Sequence, residues 1–298
     1  MNTLTARPAT LSPWVDVIWV SEASGFSFSN RLLPMLHHEW MFSLSDVFDV
    51  CREETPLPAT GRAWLAGQQT RPLLTRAEGR HYTVGVLFRP WGLSAFSRLD
   101  ISELQNQFID PALVFGQDVA ALTEQLSEKP SPERVLKLME KYLLGKLVRP
   151  ELPPFIRDSL SRIAATPLSE SLTSRLAARY GMTPQALIRR FRQLIGCTPA
   201  QYQHLILFQR TLRRLATDSG ESLTGTGYDL GFFDQAHFVR FFRKYTGLTP
   251  SAYRKEVLAG NVFANHPNLV TTDVPGWGGV SFHTIFGETE TAFLSKIS

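Results

Sequence analysis

Cysteine is scarce in this chain: its 298 residues hold two, Cys51 and Cys197, far apart and in no C-x-x-C pair. No disulfide framework and no zinc spacing can be built from them, and a reducing setting is expected. No apolar run approaches the roughly 18 residues a membrane helix needs, so no membrane partner is expected. Met1 to Pro13 lacks a charged start followed by an apolar stretch. No signal peptide is therefore expected, and the expected location is the cytoplasm. Residues 1–150 also contain no P-loop, no G-x-S-x-G and no clear acid–base pair. These absences argue against an enzyme and against a resident cofactor.

What is present is unevenly charged. The net charge is only +4, but residues 151–256 carry 15 Lys+Arg against 8 Asp+Glu, while the rest carry 16 against 19. A basic C-terminal module therefore sits beside a slightly acidic N-terminal one, and basic modules attract phosphate backbones. A hydrophobic content of 43% is that of an ordinary globular protein, and the length allows two cores.

The patterning predicts an α+β protein. Trp14 to Val20, Glu39 to Leu44 and Arg80 to Phe88 are short runs rich in Val, Trp and Phe, and are expected as strands. In the last, Tyr82, Val84, Val86 and Phe88 alternate with His81, Thr83, Gly85 and Leu87, giving one apolar face and one mixed face. Gly25, Pro56, Pro58, Gly61 and Gly79 are expected at turns. Asp118 to Glu128 and Pro132 to Val148 carry apolar residues at three- and four-residue spacing, and read as linking helices with a role in dimerisation. The expected division is a β-rich sensor domain over 1–115, a helical linker over 116–152, an all-α domain over 153–258 and an extension over 259–298. In the extension, Gly279 to Phe286 alternates as a strand would, and the aromatics Trp277, Phe282, Phe286 and Phe293 are too many for a purely disordered tail. It is expected to dock on the N-terminal sheet or on a second subunit, or else to be a frayed end.

A fourteen-residue pattern occurs twice. Residues 189–202 and 240–253 share R-x-F-R-x-x-x-G-x-T-P-x-x-Y. Before the first copy lies a short helix, Leu172 to Tyr180, with Leu172, Leu176 and Ala177 inward. Gly181 supplies a tight turn, Thr183 an N-cap and Pro184 a first helical residue. Leu187, Phe191 and Leu194 form the expected buried stripe. The second copy runs from Leu223 to Leu230, through Gly231, to the N-cap Asp234, with Phe238, Phe242 and Tyr245 buried. A helix over Pro199 to Thr217 joins them. Helix, glycine turn and second helix with a polar outer face is helix-turn-helix grammar.

On these residues, above all Gly231-Phe232-Phe233-Asp234-Gln235-Ala236-His237-Phe238 followed by Arg240, Phe242, Gly247, Thr249-Pro250 and Tyr253, the segment 154–256 resembles the DNA-binding domain of the AraC/XylS family of bacterial transcription regulators. The resemblance implies two recognition helices about 34 Å apart, entering successive major grooves of double-stranded DNA. It places base contacts on Pro184, Gln185, Ile188 and Arg189, and on Gln235, Ala236, Val239 and Arg240. Arg190, Arg192, Arg243, Lys244 and Arg254 are expected on phosphates, where they add affinity and salt dependence but no sequence information. RNA polymerase is the further partner it implies, and a homodimer is possible within it. One departure stands out: Gly227 replaces the family's usual alanine, two residues after Gly225. Each glycine costs about 0.5–1 kcal/mol in a helix interior. The first copy is therefore expected to be the stronger DNA anchor.

Arg31-Leu32-Leu33-Pro34, Glu39 to Leu44, Gly67 and Gly85 to Gly92 resemble a β-rich regulatory domain common in the same family, over residues 10–115. It implies a sensor or oligomerisation module and names no ligand. Trp19, Trp40, Phe42, His81 and Arg89 are the candidates for a small-molecule effector pocket, the last two for an anionic effector; Trp14, Trp64, Tyr82 and Trp91 are further aromatics that either line it or fill a core. His37-His38-Glu39 offers no third metal ligand, so no metal is expected. The alternatives left open are an enzyme with a DNA-targeting domain and a protein-interaction module with weakened DNA binding.

Overall fold

The computed structural model describes residues 2–52, 55–56, 61–166, 172–217, 222–259, 262–263 and 266–271. The chain is α+β, with most strands first, then the helices, then two short strands. The β-rich part comprises β1 (Asn2–Ala6), β2 (Val15–Leu32), β3 (His38–Ser43), β4 (Val47–Arg52), β5 (Thr55–Pro56), β6 (Ala63–Ala66), β7 (Leu73–Phe88) and β8 (Phe108–Ile109). Three helices follow: α1 (Ala112–Phe115), α2 (Val119–Ser127) and α3 (Pro132–Leu144).

The strands at 14–20 and 80–88 prove to be parts of much longer ones. β2 and β7 pair antiparallel from Val15↔Phe88 to Leu32↔Leu73. Gly25 and Gly79, expected at turns, lie inside these strands, as Pro56 lies in β5, whereas Gly61 does sit in a turn. The register shifts between Ala23 and Phe26, and Gly79, opposite Phe26, has φ +86. A bulge lets one left-handed residue bend the ribbon without ending it, and glycine adopts that φ without a Cβ clash. Pro58 and the expected strand at Gly279 to Phe286 lie outside the described residues.

Along β7 the alternation sorts side chains as its pattern implies. Tyr82, Val84, Val86 and Phe88 share one core with Ile18, Val20, Trp40, Phe42 and Leu65. The other face is also apolar: Leu87 packs with Val17, Trp19, Met41, Trp64 and Ala66. Gly85 on that face is obligatory, because a Cβ there would lie 2.2 Å from the Trp19 ring.

The stretch expected as a linker is helical, and its stripe is buried in the sheet's core. Val119, Leu122 and Leu126 of α2 and Val135, Met139 and Leu143 of α3 join the cluster around Trp40 and Phe42. Ser131 caps α3 by accepting from Arg134 N, Pro132 opens it, and Gly145 closes it before the expected end at Val148.

The remaining helices are α4 (Pro154–Ala165), α5 (Leu172–Arg179), α6 (Pro184–Ile195), α7 (Pro199–Thr217), α8 (Leu223–Asp229), α9 (Gln235–Thr246) and α10 (Pro250–Leu258). After them come β9 (Val262–Phe263) and β10 (His266–Thr271), and β10 pairs antiparallel with the end of β2. The helices share one core, and Leu33 and Leu36, from the segment after β2, are buried in it. The N-terminal unit is thus seated on the helical one. Arg31 Nη1 donates to Thr246 O (3.1 Å), and Gln209 Nε2 donates to Pro34 O (2.6 Å).

Candidate nucleic-acid interface

The repeated pattern is a set of local instructions. Its glycine closes a helix in the left-handed region, with φ +93 at Gly196 after α6 and φ +72 at Gly247 after α9. Its threonine caps the next helix. Thr198 Oγ1 accepts from Gln201 N while Gln201 Oε1 accepts from Thr198 N, a reciprocal cap; Thr249 Oγ1 accepts from Ala252 N. Its proline takes the first helical position of α7 and α10. Its tyrosine returns to the preceding helix: Tyr202 packs edge-on against Phe191 (ring centroids 5.8 Å) and Tyr253 against Phe242 (5.4 Å), all fully buried. With phenylalanine fixed inward, the flanking arginines of each copy are turned outward.

Each recognition-type helix is also capped at its start. Gly181 (φ +62) and Gly231 (φ +85) make the turns, and nothing lies near the place of a Cβ at either, so backbone conformation alone demands glycine there. Thr183 Oγ1 accepts from Ala186 N at 3.2 Å, and Asp234 Oδ1 from His237 N at 2.6 Å. In α6 the buried stripe is Leu187, Phe191 and Ile195. Leu194, expected in it, is only half-buried, because one more full turn brings position 195 inward. In α9, Phe238, Phe242 and Tyr245 are buried as expected, joined by Phe241. Gly227 lies where α8 meets α9: a Cβ there would stand 3.3 Å from Phe238 Cδ1, so the glycine allows the close approach.

Nine of the thirteen expected contact residues are exposed. Gln185, Arg189, Arg190 and Arg192 on α6 are exposed, as are Gln235, Ala236, Arg240, Arg243 and Lys244 on α9. Pro184, Ile188 and Val239 are half-buried. Arg254 is half-buried too, with Nε and Nη2 inaccessible. Arg190 lies over the Phe155 ring at 5.7 Å, and Lys244 over Tyr245 at 5.4 Å. By contrast, Arg162 and Arg179 are spent within the domain. Both bind Asp158, at 2.8 and 3.0 Å, and Tyr180 donates to the same carboxylate. The Arg162 bond foremost, with those from Tyr180 and Arg179, holds the Asp158 carboxyl down at about 2. α7 joins the two motifs as one helix of 19 residues, about 28 Å long at 1.5 Å per residue.

The five candidates for an effector pocket do not converge. Trp40 and Phe42 are fully buried on the helix-covered face, where Phe115 stacks on Trp40 (centroids 4.2 Å, planes at 12°). Trp19 is on the opposite face over Gly85. His81 meets Ser45 Oγ and Thr83 Oγ1 at 3.3 and 3.0 Å, and burial lowers its pKa to about 4. Arg89 is bound to Asp16 (3.4 Å) and to Ser12 O (2.7 Å) and lies over Trp91. Sequence reasoning missed the group around Asp16, which also meets His37 at 2.7 Å with both side chains buried. No periodic signal joins residues 16, 37 and 89. Among the described residues, no cluster of three His, Cys, Asp or Glu could hold a metal, and no helix is long and apolar enough to cross a membrane.

Two separate parts of the chain match known families. Residues 176–256 match a family described as a helix-turn-helix domain, and residues 5–110 match a domain of unknown function. The MmsAB operon regulatory protein of Pseudomonas aeruginosa is 35% identical over 86 residues, 29% of this chain and 28% of that protein. The arabinose operon regulatory protein of Salmonella typhimurium is 28% identical over 149 residues, covering 47% and 52%. The matched segments span 28% and 52% of these relatives' lengths. The crystal structure of ToxT from Vibrio cholerae aligns with 87% of this chain and 98% of its own at 12% identity, with a TM-score of 0.40.

Proposed function

We propose that the chain, whose C-terminal helix-turn-helix domain resembles that of the AraC/XylS transcription regulators, binds double-stranded DNA sequence-specifically and regulates transcription from the cytoplasm. The observation that carries this reading is the paired outward face. Two capped helices, joined by one long helix, each expose two arginines from the same repeated pattern. Arg189 and Arg240 suit guanine O6 and N7, and Gln185 and Gln235 suit adenine N6 and N7, each pairing worth about 1–3 kcal/mol of discrimination. Pro184, Ile188, Ala236 and Val239 complete the base-facing set through apolar contact. Arg190, Arg192, Arg243 and Lys244 take phosphates. Arg254, half-buried, joins them only by leaving part of its present packing.

In this reading, residues 153–258 bind DNA and the β-rich unit regulates them, through a small-molecule effector or through a homodimer, with RNA polymerase as the downstream partner. Selection of bound duplexes from a random library by the full chain, at two salt concentrations, tests it. Two enriched motifs about 10 base pairs apart are expected. Salt-sensitive binding without any enriched motif would reduce the basic domain to a tether and overturn the reading.

A further inference from the structure

The two turns that lead into α6 and α9 are not equal in length. Around their glycines they are built alike: Gly181 N donates to Ala178 O and Met182 N to Ala177 O, as Gly231 N donates to Tyr228 O and Phe232 N to Gly227 O. At the caps they match again, Thr183 with Asp234. The copies are offset by 50 residues at the glycines and by 51 at the caps. The second turn therefore holds one extra residue. Phe232 fills the place of Met182 and is buried in the helical core, so the extra residue is Phe233, which is 86% exposed.

A single exposed apolar side chain is unremarkable on most surfaces. This one immediately precedes the N-cap of a helix whose first exposed residues are Gln235 and Ala236. A recognition helix presents its N-terminal residues to base edges, which puts the residue before its cap at the rim of the groove. A phenyl ring has neither charge nor donor for a phosphate. The apolar feature the major groove offers is the thymine 5-methyl group.

We propose that Phe233 contacts DNA and reads the methyl of one thymine at the edge of the second half-site, a contact the first motif has no residue to make. The proposal rests on the DNA-binding reading above. It gives the two half-sites different requirements and so sets the orientation of the protein on its operator.

The test uses the full chain and the duplex it selects. Each thymine of the second half-site is replaced in turn by deoxyuridine, which removes only the methyl. One replacement is expected to weaken wild-type binding about four-fold, the worth of one methyl group moved out of water. F233A is expected to lose a similar factor on the unmodified duplex and to be indifferent to that replacement, with its melting temperature and salt slope unchanged. F233L, which keeps an apolar side chain, should retain part of the preference. The proposal is overturned if F233A binds as wild type does, if it keeps the same uridine sensitivity, or if it weakens equally on all duplexes. Normal DNA binding by F233A with lost transcriptional output would assign Phe233 to a protein partner instead, and would also overturn it. If the full chain selects no duplex at all, the DNA-binding reading itself fails and this contact falls with it.

Discussion

His38 opens β3 at the contact between the two units, wholly buried, with neither ring nitrogen hydrogen-bonded among the described residues. Its neighbour across the contact is Gly196, the cap of α6, where a Cβ would lie 3.3 Å from His38 Nε2. Burial first, and the adjacent His37 second, lower its pKa from 6.5 to about 3. The unfolded chain therefore binds a proton at His38 that the folded chain refuses. Stability is lost as pH falls through 6.5, and the loss continues toward 3. At pH 5 it amounts to about 2 kcal/mol from this residue, at 1.36 kcal/mol per unit. His81, lowered to about 4 by burial, acts in the same direction. Glu39, raised to about 7 by burial, acts in the opposite one: its protonated folded form is a handicap at neutral pH that fades toward 4.5.

Comparing wild type with His38→Leu cancels both of those contributions. Leucine also removes two buried nitrogens without partners, which is expected to stabilise the variant by about 1–2 kcal/mol at pH 7. The gap should widen by about 2 kcal/mol at pH 5. Urea unfolding followed by tryptophan fluorescence is a suitable assay, because Trp14, Trp19, Trp40, Trp64 and Trp91 all report on the N-terminal unit. An equal gap at both pH values would refute the argument.

Gly85→Ala drives a Cβ into the Trp19 ring, which is only 4% exposed and cannot swing away. A loss of about 3 kcal/mol is expected, and an unchanged melting temperature would count against it. Phe191→Ala empties the centre of α6 and strips Tyr202 of its partner. It should cost about 3–5 kcal/mol by urea unfolding and abolish footprinting at one half-site while the other persists. Arg189→Ala should flatten base preference at one position by about 1–3 kcal/mol, whereas Arg243→Ala should weaken all duplexes alike and reduce the salt slope by about one. Binding titrations across salt and sequence would expose an exchange of those roles.

The helical domain was legible because its instructions are local. A glycine, a threonine, a proline and a tyrosine within seven residues specify a stop, a cap, a start and a packing contact without reference to the rest of the chain. The β-rich unit is governed by distant partners, which no local pattern names. Gly25 and Gly79 look like breakers until β2 and β7 are seen to pair across them through a bulge. The stripes of α2 and α3 were visible, but nothing local says that they cover Trp40 and Phe42. Trp19, Trp40 and Phe42, expected at a pocket, are buried. Which face each one occupies depends on strand register, and what fills the space beside Trp40 is Phe115, seventy-five positions away.

The segment after β2 is where the least legible part of the sequence has its largest consequence. Leu33 and Leu36 flank a proline and show no periodicity, yet they are buried among the helices of the other unit. Beside them, Gln209 of α7 and the last turn of α9 are tied to Pro34 and Arg31. The end of α6 packs against the turn at Ile101–Leu104. All three helices that fix the separation of the two outward faces are therefore touched by the N-terminal unit. Burying two leucines gains about 3–6 kcal/mol. Against that stand the two nitrogens of His38 and Oε1 of Gln209, buried without hydrogen-bond partners among the described residues, at about 1–3 kcal/mol each. The two sums overlap. The hydrogen bonds of Arg31 and Gln209 across the contact add to the favourable side, and the unpartnered atoms offset part of it.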